Sequence, residues 1–460
     1  MLPVSMAAPG AWTEDHVRRL FWRAGFGATP REAKRWAQRG QEAAVQWLLE
    51  GDGRELRGPS PRIDGVPIDP VNEFGHDQLW WLDRMVRSMR PLQEKMTLFW
   101  HDHFACKDQT PLMLAQNQTM RRLALGDFRA LLRAVTLDPA MQRFLSLAGS
   151  NRRKPNENFA RELLELFTLG SGYGEDDIRE AARALTGFTA PRDPATGLPT
   201  VRYDDRRHDA LAKTIFGRPG AWGWEDALEL ALTHPTHAPF MVDKLWRFFI
   251  TTPPDAPTRA NLERTYVASG LQLKPLLGAI LRHPALYRAL EAPDMVKSPA
   301  VYVAGFLHTS GRPVDRNWAS LLEDMGMKLF SPPSVAGWDW GPAWLSTNAM
   351  RARFTFASAF TASGPAKVRP GSAPRDAPPA AAIEQARTAV GKPWSSKRTD
   401  KLLRDMATQW GEPRRAKPKP KPKKRKGSQV TRAPLSRVQA DTLQRALRHL
   451  LVSGPDAQLH

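Results

Sequence analysis

Apolar residues recur three and four apart in stretch after stretch of this chain, and the period-two alternation of a half-buried strand is almost absent. That periodicity limits the fold more than any other feature. "DQLWWLDRMVRSM", "LGDFRALLRAVTLDPAMQRFL", "NENFARELLELFTLG", "EDDIREAARALTGF", "APFMVDKLWRFFI" and "LKPLLGAILRHPALYRAL" all follow it. "ATPREAKRW" adds a start signal, with Thr29 as N-cap, Pro30 at the first helical position and Glu32 at the capping-box position. Gly40 and Gly51 punctuate the two short helices that follow. The expected fold class is all-α: a large multi-helix domain. A short hairpin near Pro199 to Tyr203 is the one β feature expected.

One stretch breaks the helical pattern without becoming polar. "LFSPPSVAGWDWGPAWLS" holds Pro332, Pro333, Gly337, Gly341 and Pro342, which exclude a regular helix. Trp338, Trp340 and Trp344 supply area to bury. It reads as an irregular Trp/Pro-rich loop packed on the helices. The chain has sixteen Trp, and a buried indole needs a partner for its N–H.

The domain reading places a helical core domain over 1–362 and a Pro/Ala-rich linker over 363–395. A short helix over 396–411, a disordered basic Lys/Pro insertion over 412–435 and a C-terminal helix over 436–460, packed on the core, complete it. Residues 413–427, "PRRAKPKPKPKKRKG", carry nine basic residues and no acid, close to half of the net charge of +20. An extended cationic chain binds phosphates without reading sequence, so nucleic acid or another polyanion is the partner this segment suggests. A solubilising loop is the plainer alternative.

A single cysteine, Cys106, excludes an internal disulfide framework and a Cys-rich zinc module. It reads as a small buried residue. The N-terminus lacks a basic start and a continuous apolar run, and no stretch of about eighteen apolar residues exists. A cytoplasmic protein without a membrane span is the expectation from these residues.

Three constellations could carry chemistry. "TLFWHDHFACK" places His101, His103 and Cys106 within six residues. On a helix, His103 shares an arc with Leu92, Met96, Phe99 and Trp100 and points at the core, while His101 lies roughly opposite, beside Glu94 and Thr97. If the helix runs to Phe104, the two histidines cannot bind one metal. If it ends near Trp100, both can face one side. "NENFARELLELF" places Glu162 and Glu165 one turn apart, able to meet histidines as in bundle metal sites, although the usual Glu-x-x-His is missing. "RRHDALAK" gathers a base, an orienting acid and a cation in His208, Asp209 and Lys213. Each has a structural alternative: a core histidine, a surface pair between Glu157 and Arg161, a capped turn at Asp209. His234, His237 and His283 read as helix-terminal. Phosphate-loop, dinucleotide, nucleophile-elbow and His-Glu-x-x-His signatures are all missing.

The same segments resemble a bacterial family, the domain of unknown function 1800 family. The likeness rests on "RLFWRAGFGATPRE", "RPLQEKMTLFWHDHFACK", "QNQTMRRLALGDFRALLRAVTLDPAM" and "NENFARELLELFTLGSGYGEDDIREAARALTGF". It continues through "HDALAKTIFG", "HPTHAPFMVDKLWRFFI", "KSP", "LFSPPSVAGW" and "LLVSGPDAQ", nearly the whole chain. The resemblance carries no assigned reaction. It implies export to the periplasm or medium and a sulfatase-like partner family. Its motifs contain His101, His103, Asn156, Glu157, Arg161, Glu162, His208, Asp209 and Lys213.

The functional expectation is a hydrolase-like enzyme with a histidine/carboxylate site, using water on a divalent metal ion as nucleophile. His101 and His208 are the expected ligands or general bases and Glu162 the expected ligand or acid, with Asp209 and Lys213 beside them. The expected metal set is His101, His103, Glu162, Glu165 and His208. The alternative is a non-enzymatic scaffold that binds a partner protein or polyanion through the basic segment.

Overall fold

The computed structural model describes residues 12–410 and 434–460. Among them it is predominantly helical, with nineteen α-helices and three two-stranded sheets of two or three residues per strand. One apolar core extends from Val17 to Ala457. No helix of the described residues is long and apolar enough to cross a membrane.

The local start and stop signals act as the sequence implies. Glu32 donates its backbone N–H to the Thr29 hydroxyl, and the Glu32 carboxylate accepts the Thr29 N–H at 2.9 Å. Such a cap contributes about 1 kcal/mol. Gly40, at φ +85°, interrupts the Pro30–Glu50 helix, and Gly51, at φ +72°, ends it. The one expected β feature pairs differently in detail. Arg202–Tyr203 pairs with Phe188–Thr189, and Arg192 bridges Pro199.

The central element is the Pro91–His103 helix, which contains the first seven residues of "TLFWHDHFACK". It is buried on both faces. Glu94 accepts from the Arg121 guanidinium at 2.7 and 2.8 Å and from the Trp81 indole at 2.8 Å. Lys95 lies over the Phe26 and Phe248 rings. Over its last turn lies the irregular loop, with Phe330, Trp338 and Trp344 buried and Trp340 partly exposed.

The C-terminal Arg437–Ser453 helix packs on the Thr347–Ala362 helix. The stretch read as a 363–395 linker differs from that expectation. It holds a helix, Pro379–Ala389, that buries Ala382, Ile383 and Ala386 and gives its Ala382 carbonyl to Gln444 at 2.8 Å. Pro at the first position and a run of Ala make a good helix whose buried stripe is small. The Lys397–Gln409 helix follows within the expected 396–411. The basic insertion lies, but for Pro434 and Leu435, outside the described residues, and all of 413–427 does.

Candidate active site

The last turn of the Pro91–His103 helix forms one wall of a cavity of about 350 Å³, lined by Phe99, Asp102, His103, Lys244, Arg247, Phe248, Ala336 and Trp340. Asp102 stands between the two histidines of the sequence motif. Its carboxylate accepts the Trp338 backbone N–H at 2.8 Å and the Trp340 indole N–H at 2.9 Å. The Asp102 side chain therefore hydrogen-bonds the irregular loop to the helix end at two points. Gly337 makes that approach feasible: it sits at φ +84°, and a Cβ there would fall on the Asp102 carboxylate.

Lys244, from the His237–Phe249 helix, faces the same cavity. Its ammonium donates to His103 Nδ1 at 3.0 Å and to the Leu166 carbonyl at 3.0 Å. An ammonium only donates, so Nδ1 accepts and the ring carries its proton on Nε2. Nε2 then donates to the Phe167 carbonyl at 3.1 Å. Both carbonyls belong to Leu163–Thr168, a π-helical turn that closes the Glu157–Glu162 helix. The last carbonyls of a helix lack intrahelical partners, and a π-turn shifts which ones are free. The next one, Thr168, accepts from His237 Nδ1 at 3.0 Å.

The electrostatics follow from burial. Burial pushes the Asp102 carboxyl up to about 6, against its two hydrogen bonds and the Lys244 charge. Burial pulls the Lys244 ammonium down to about 8, with Asp102 acting the other way. Burial and the Lys244 charge hold His103 well below its ordinary value, so it is neutral. Among the described residues, neither Asp102 nor Lys244 has an opposite charge within 4 Å. Arg247 is exposed at the rim, its Nε donating to the Asp243 carbonyl at 3.3 Å. The cavity thus offers a base of raised strength, a half-buried cation, a second cation and the rings of Phe99, Phe248 and Trp340.

The other expected site residues lie elsewhere. His101 is fully buried against the rings of Trp81, Phe330 and Trp338, and neither ring nitrogen has a hydrogen-bond partner. Burial alone pushes it down to about 3. The expectation that His101 is the more accessible histidine is reversed, because the helix has no solvent face for it to point to. The helix runs through His103, so the two histidines diverge. Glu165 is exposed, and Glu162 is half-buried with its carboxyl raised by burial and by Glu165. Arg161 pairs with Glu175 and Glu157, as the surface reading of that helix has it.

The "HDALAK" segment is pinned by itself and by Arg183 and Thr186. Asp209 pairs with Arg183 at 2.7 Å and accepts the Leu211 N–H, while the buried Lys213 donates to the Asp209 and Leu211 carbonyls. His208 Nδ1 lies 3.1 Å from the Thr186 carbonyl. Among the described residues, no group of three or more His, Cys, Asp or Glu side chains is placed to hold a metal ion. The expected ligand set of His101, His103, Glu162, Glu165 and His208 is not assembled. Cys106 is buried, bonded through its Sγ to Gln116, with its thiol pushed up by burial.

Two of the three quoted segments do converge, but through other atoms. "TLFWHDHFACK" gives Asp102 and His103, and "NENFARELLELFT" gives two backbone carbonyls in place of its glutamates. Sequence reasoning missed Asp102, Lys244 and Arg247. A signal existed in "FMVDKLWRFF", where Phe240, Lys244 and Phe248 recur every four residues and set one cation on an aromatic stripe.

A family model described as a protein of unknown function, DUF1800, matches residues 19–459. No curated protein and no solved structure matches the chain.

Proposed function

The chain belongs to the DUF1800 family of proteins of unknown function, and from that premise we propose an enzyme that hydrolyses a small anionic molecule in the Asp102–Lys244 cavity. One observation carries this reading. A half-buried carboxylate and a half-buried ammonium face one aromatic-lined space of about 350 Å³ without pairing to each other or to another charge within 4 Å. Groups whose environments pull their pKa values toward neutrality mark acid/base sites.

In this reading Asp102 accepts a proton from water as that water attacks the acyl carbon of the substrate, and returns it to the leaving alcohol or amine as the C–O or C–N bond breaks. Lys244 and Arg247 hold the anionic group and take up negative charge that develops on the substrate oxygen. His103 is a positioning residue: its neutral ring accepts from Lys244 and aims the ammonium. Phe99, Phe248 and Trp340 hold the apolar part of the substrate. Asp102 is ionised above about pH 6 and Lys244 protonated below about pH 8, so activity peaks between those limits.

The test has two steps. A library of small anionic esters and amides is screened by thermal shift, and the hits are followed by mass spectrometry for product. Asp102→Asn is expected to bind the hits and lower turnover by about 100-fold or more. Turnover equal to wild type in that variant would refute the reading. Ligands that bind and persist unchanged would leave a binding protein.

The polyanion-scaffold reading rests on the nine cations of residues 413–427, which lie outside the described residues. Deleting 413–427 tests it through the salt dependence of nucleic-acid binding, which is expected to flatten if that segment is the contact.

A further inference from the structure

A second cavity, of about 260 Å³, lies at the opposite end of the Pro91–His103 helix. Leu48, Leu49 and Leu125 make it apolar on one side, and Arg90, Arg122 and Lys274 bring three cations to it. The N-terminal ends of two helices, Pro91–His103 and Leu273–Arg282, meet the C-terminal ends of two others, Pro30–Glu50 and Thr110–Leu123. Their dipoles offset one another, so the side chains set the sign of the field. The one lining carboxylate, Glu50, is engaged by Lys274 at 2.8 Å. Among the described residues, Arg90 and Arg122 have no carboxylate within ion-pair distance, and the buried Nε of Arg90 has no hydrogen-bond partner.

Arg90 is placed rather than loose. Its stem lies along Gly51, where a Cβ would come within 2.8 Å of the Arg90 Cγ. A side chain at position 51 would displace it. A guanidinium fork with unpaired N–H groups on a stem placed in this way matches a tetrahedral oxyanion in geometry and charge. We propose that this cleft is a second ligand site, for a phosphate- or sulfate-class oxyanion, held by Arg90 and Arg122 and free or carried on a small organic group. The cavity exceeds the size of a bare oxyanion, and the leucine wall suits an organic substituent. The proposal does not depend on the catalytic reading, since no lining residue is shared with the first cavity.

The experiment is calorimetric titration of the full chain with inorganic phosphate, sulfate and glycerol phosphate, at fixed ionic strength with chloride as the control anion. Saturable one-to-one binding is expected, weakened at least 10-fold in Arg90→Gln and in Arg122→Gln. Arg122 is exposed, so its variant remains a test if Arg90→Gln fails to fold. Lys244→Met, at the other cavity, is expected to leave this binding unchanged. Tighter binding of glycerol phosphate assigns the site to an ester, and equal affinity assigns it to the free anion. Three outcomes would overturn the proposal: heat no larger than with chloride, equal binding in both arginine variants, or loss of binding when residues 413–427 are deleted.

Discussion

Two regions of this molecule hold a histidine, an aspartate and a lysine close together, and they are built in opposite ways. In the 208–213 segment every charge is answered nearby. Asp209 has Arg183, and Lys213 has two carbonyls. The Arg183 partner helps hold the Asp209 carboxyl below its ordinary value despite burial. At the end of the Pro91–His103 helix the same three residue types remain without a charged partner beside a cavity. There Asp102 is pushed up and Lys244 down, each toward its neutral form. Residue types alone do not distinguish the two regions. What differs is hydrogen-bonding capacity left facing space large enough for a ligand.

Substitutions that act on one region and spare the other sharpen the contrast. The largest effect is expected at Gly337. Gly337→Ala places a Cβ on the Asp102 carboxylate at a φ that disfavours side chains, and costs about 3 kcal/mol in urea unfolding. The same variant is expected to lose every ligand of the first cavity, because the Trp338–Trp340 wall moves. Next comes Asp209→Ala, which removes one of the two carboxylate partners of Arg183, leaving Glu180, and frees the 208–213 segment. It is expected to cost about 2 kcal/mol by the same measurement and to leave ligand binding at the first cavity within twofold. Binding abolished there would show that the two regions are one site.

Lys244→Met reverses the pattern. A half-buried cation without an ion pair adds little to stability, so unfolding is expected to change by no more than about 1 kcal/mol while ligand affinity falls at least 10-fold. At neutral pH the smallest effect is expected at His101, and it grows as the pH falls. The ring's pKa is about 3 in the fold against an ordinary 6.5. The unfolded chain therefore binds a proton that the fold refuses, and stability is lost as pH falls below 6.5. His101→Phe removes that loss. The variant's advantage over wild type is expected to be about 2 kcal/mol larger at pH 5 than at pH 8, from about 1.4 kcal/mol per pH unit below 6.5, as read by chemical unfolding at both values.

Much of the fold was legible because helical periodicity, caps and glycine stops are local signals. Thr29, Glu32, Gly40 and Gly51 act as read, and the Trp/Pro loop packs as expected. The site was legible only by segment. Helical phase separates His101 from His103 correctly, but it assumes one wet face, and this helix has none. The glutamates of "NENFARELLELF" drew attention to a helix whose contribution is carbonyl oxygens released by a π-turn, which no side-chain pattern encodes. Lys244 is joined to His103 only by tertiary packing, 141 positions along the chain.

The most direct test of the contrast needs no substrate. Lysine amines of the native protein are acylated over pH 7 to 10, and the rate at each residue is followed by mass spectrometry. Lys244 is expected to react several-fold faster at pH 8 than the exposed Lys34, with an inflection near 8, while Lys213 stays unmodified. A Lys244 rate no greater than that of Lys34, with its inflection near the ordinary 10.5, would contradict the assignment of this cavity as the polarised site.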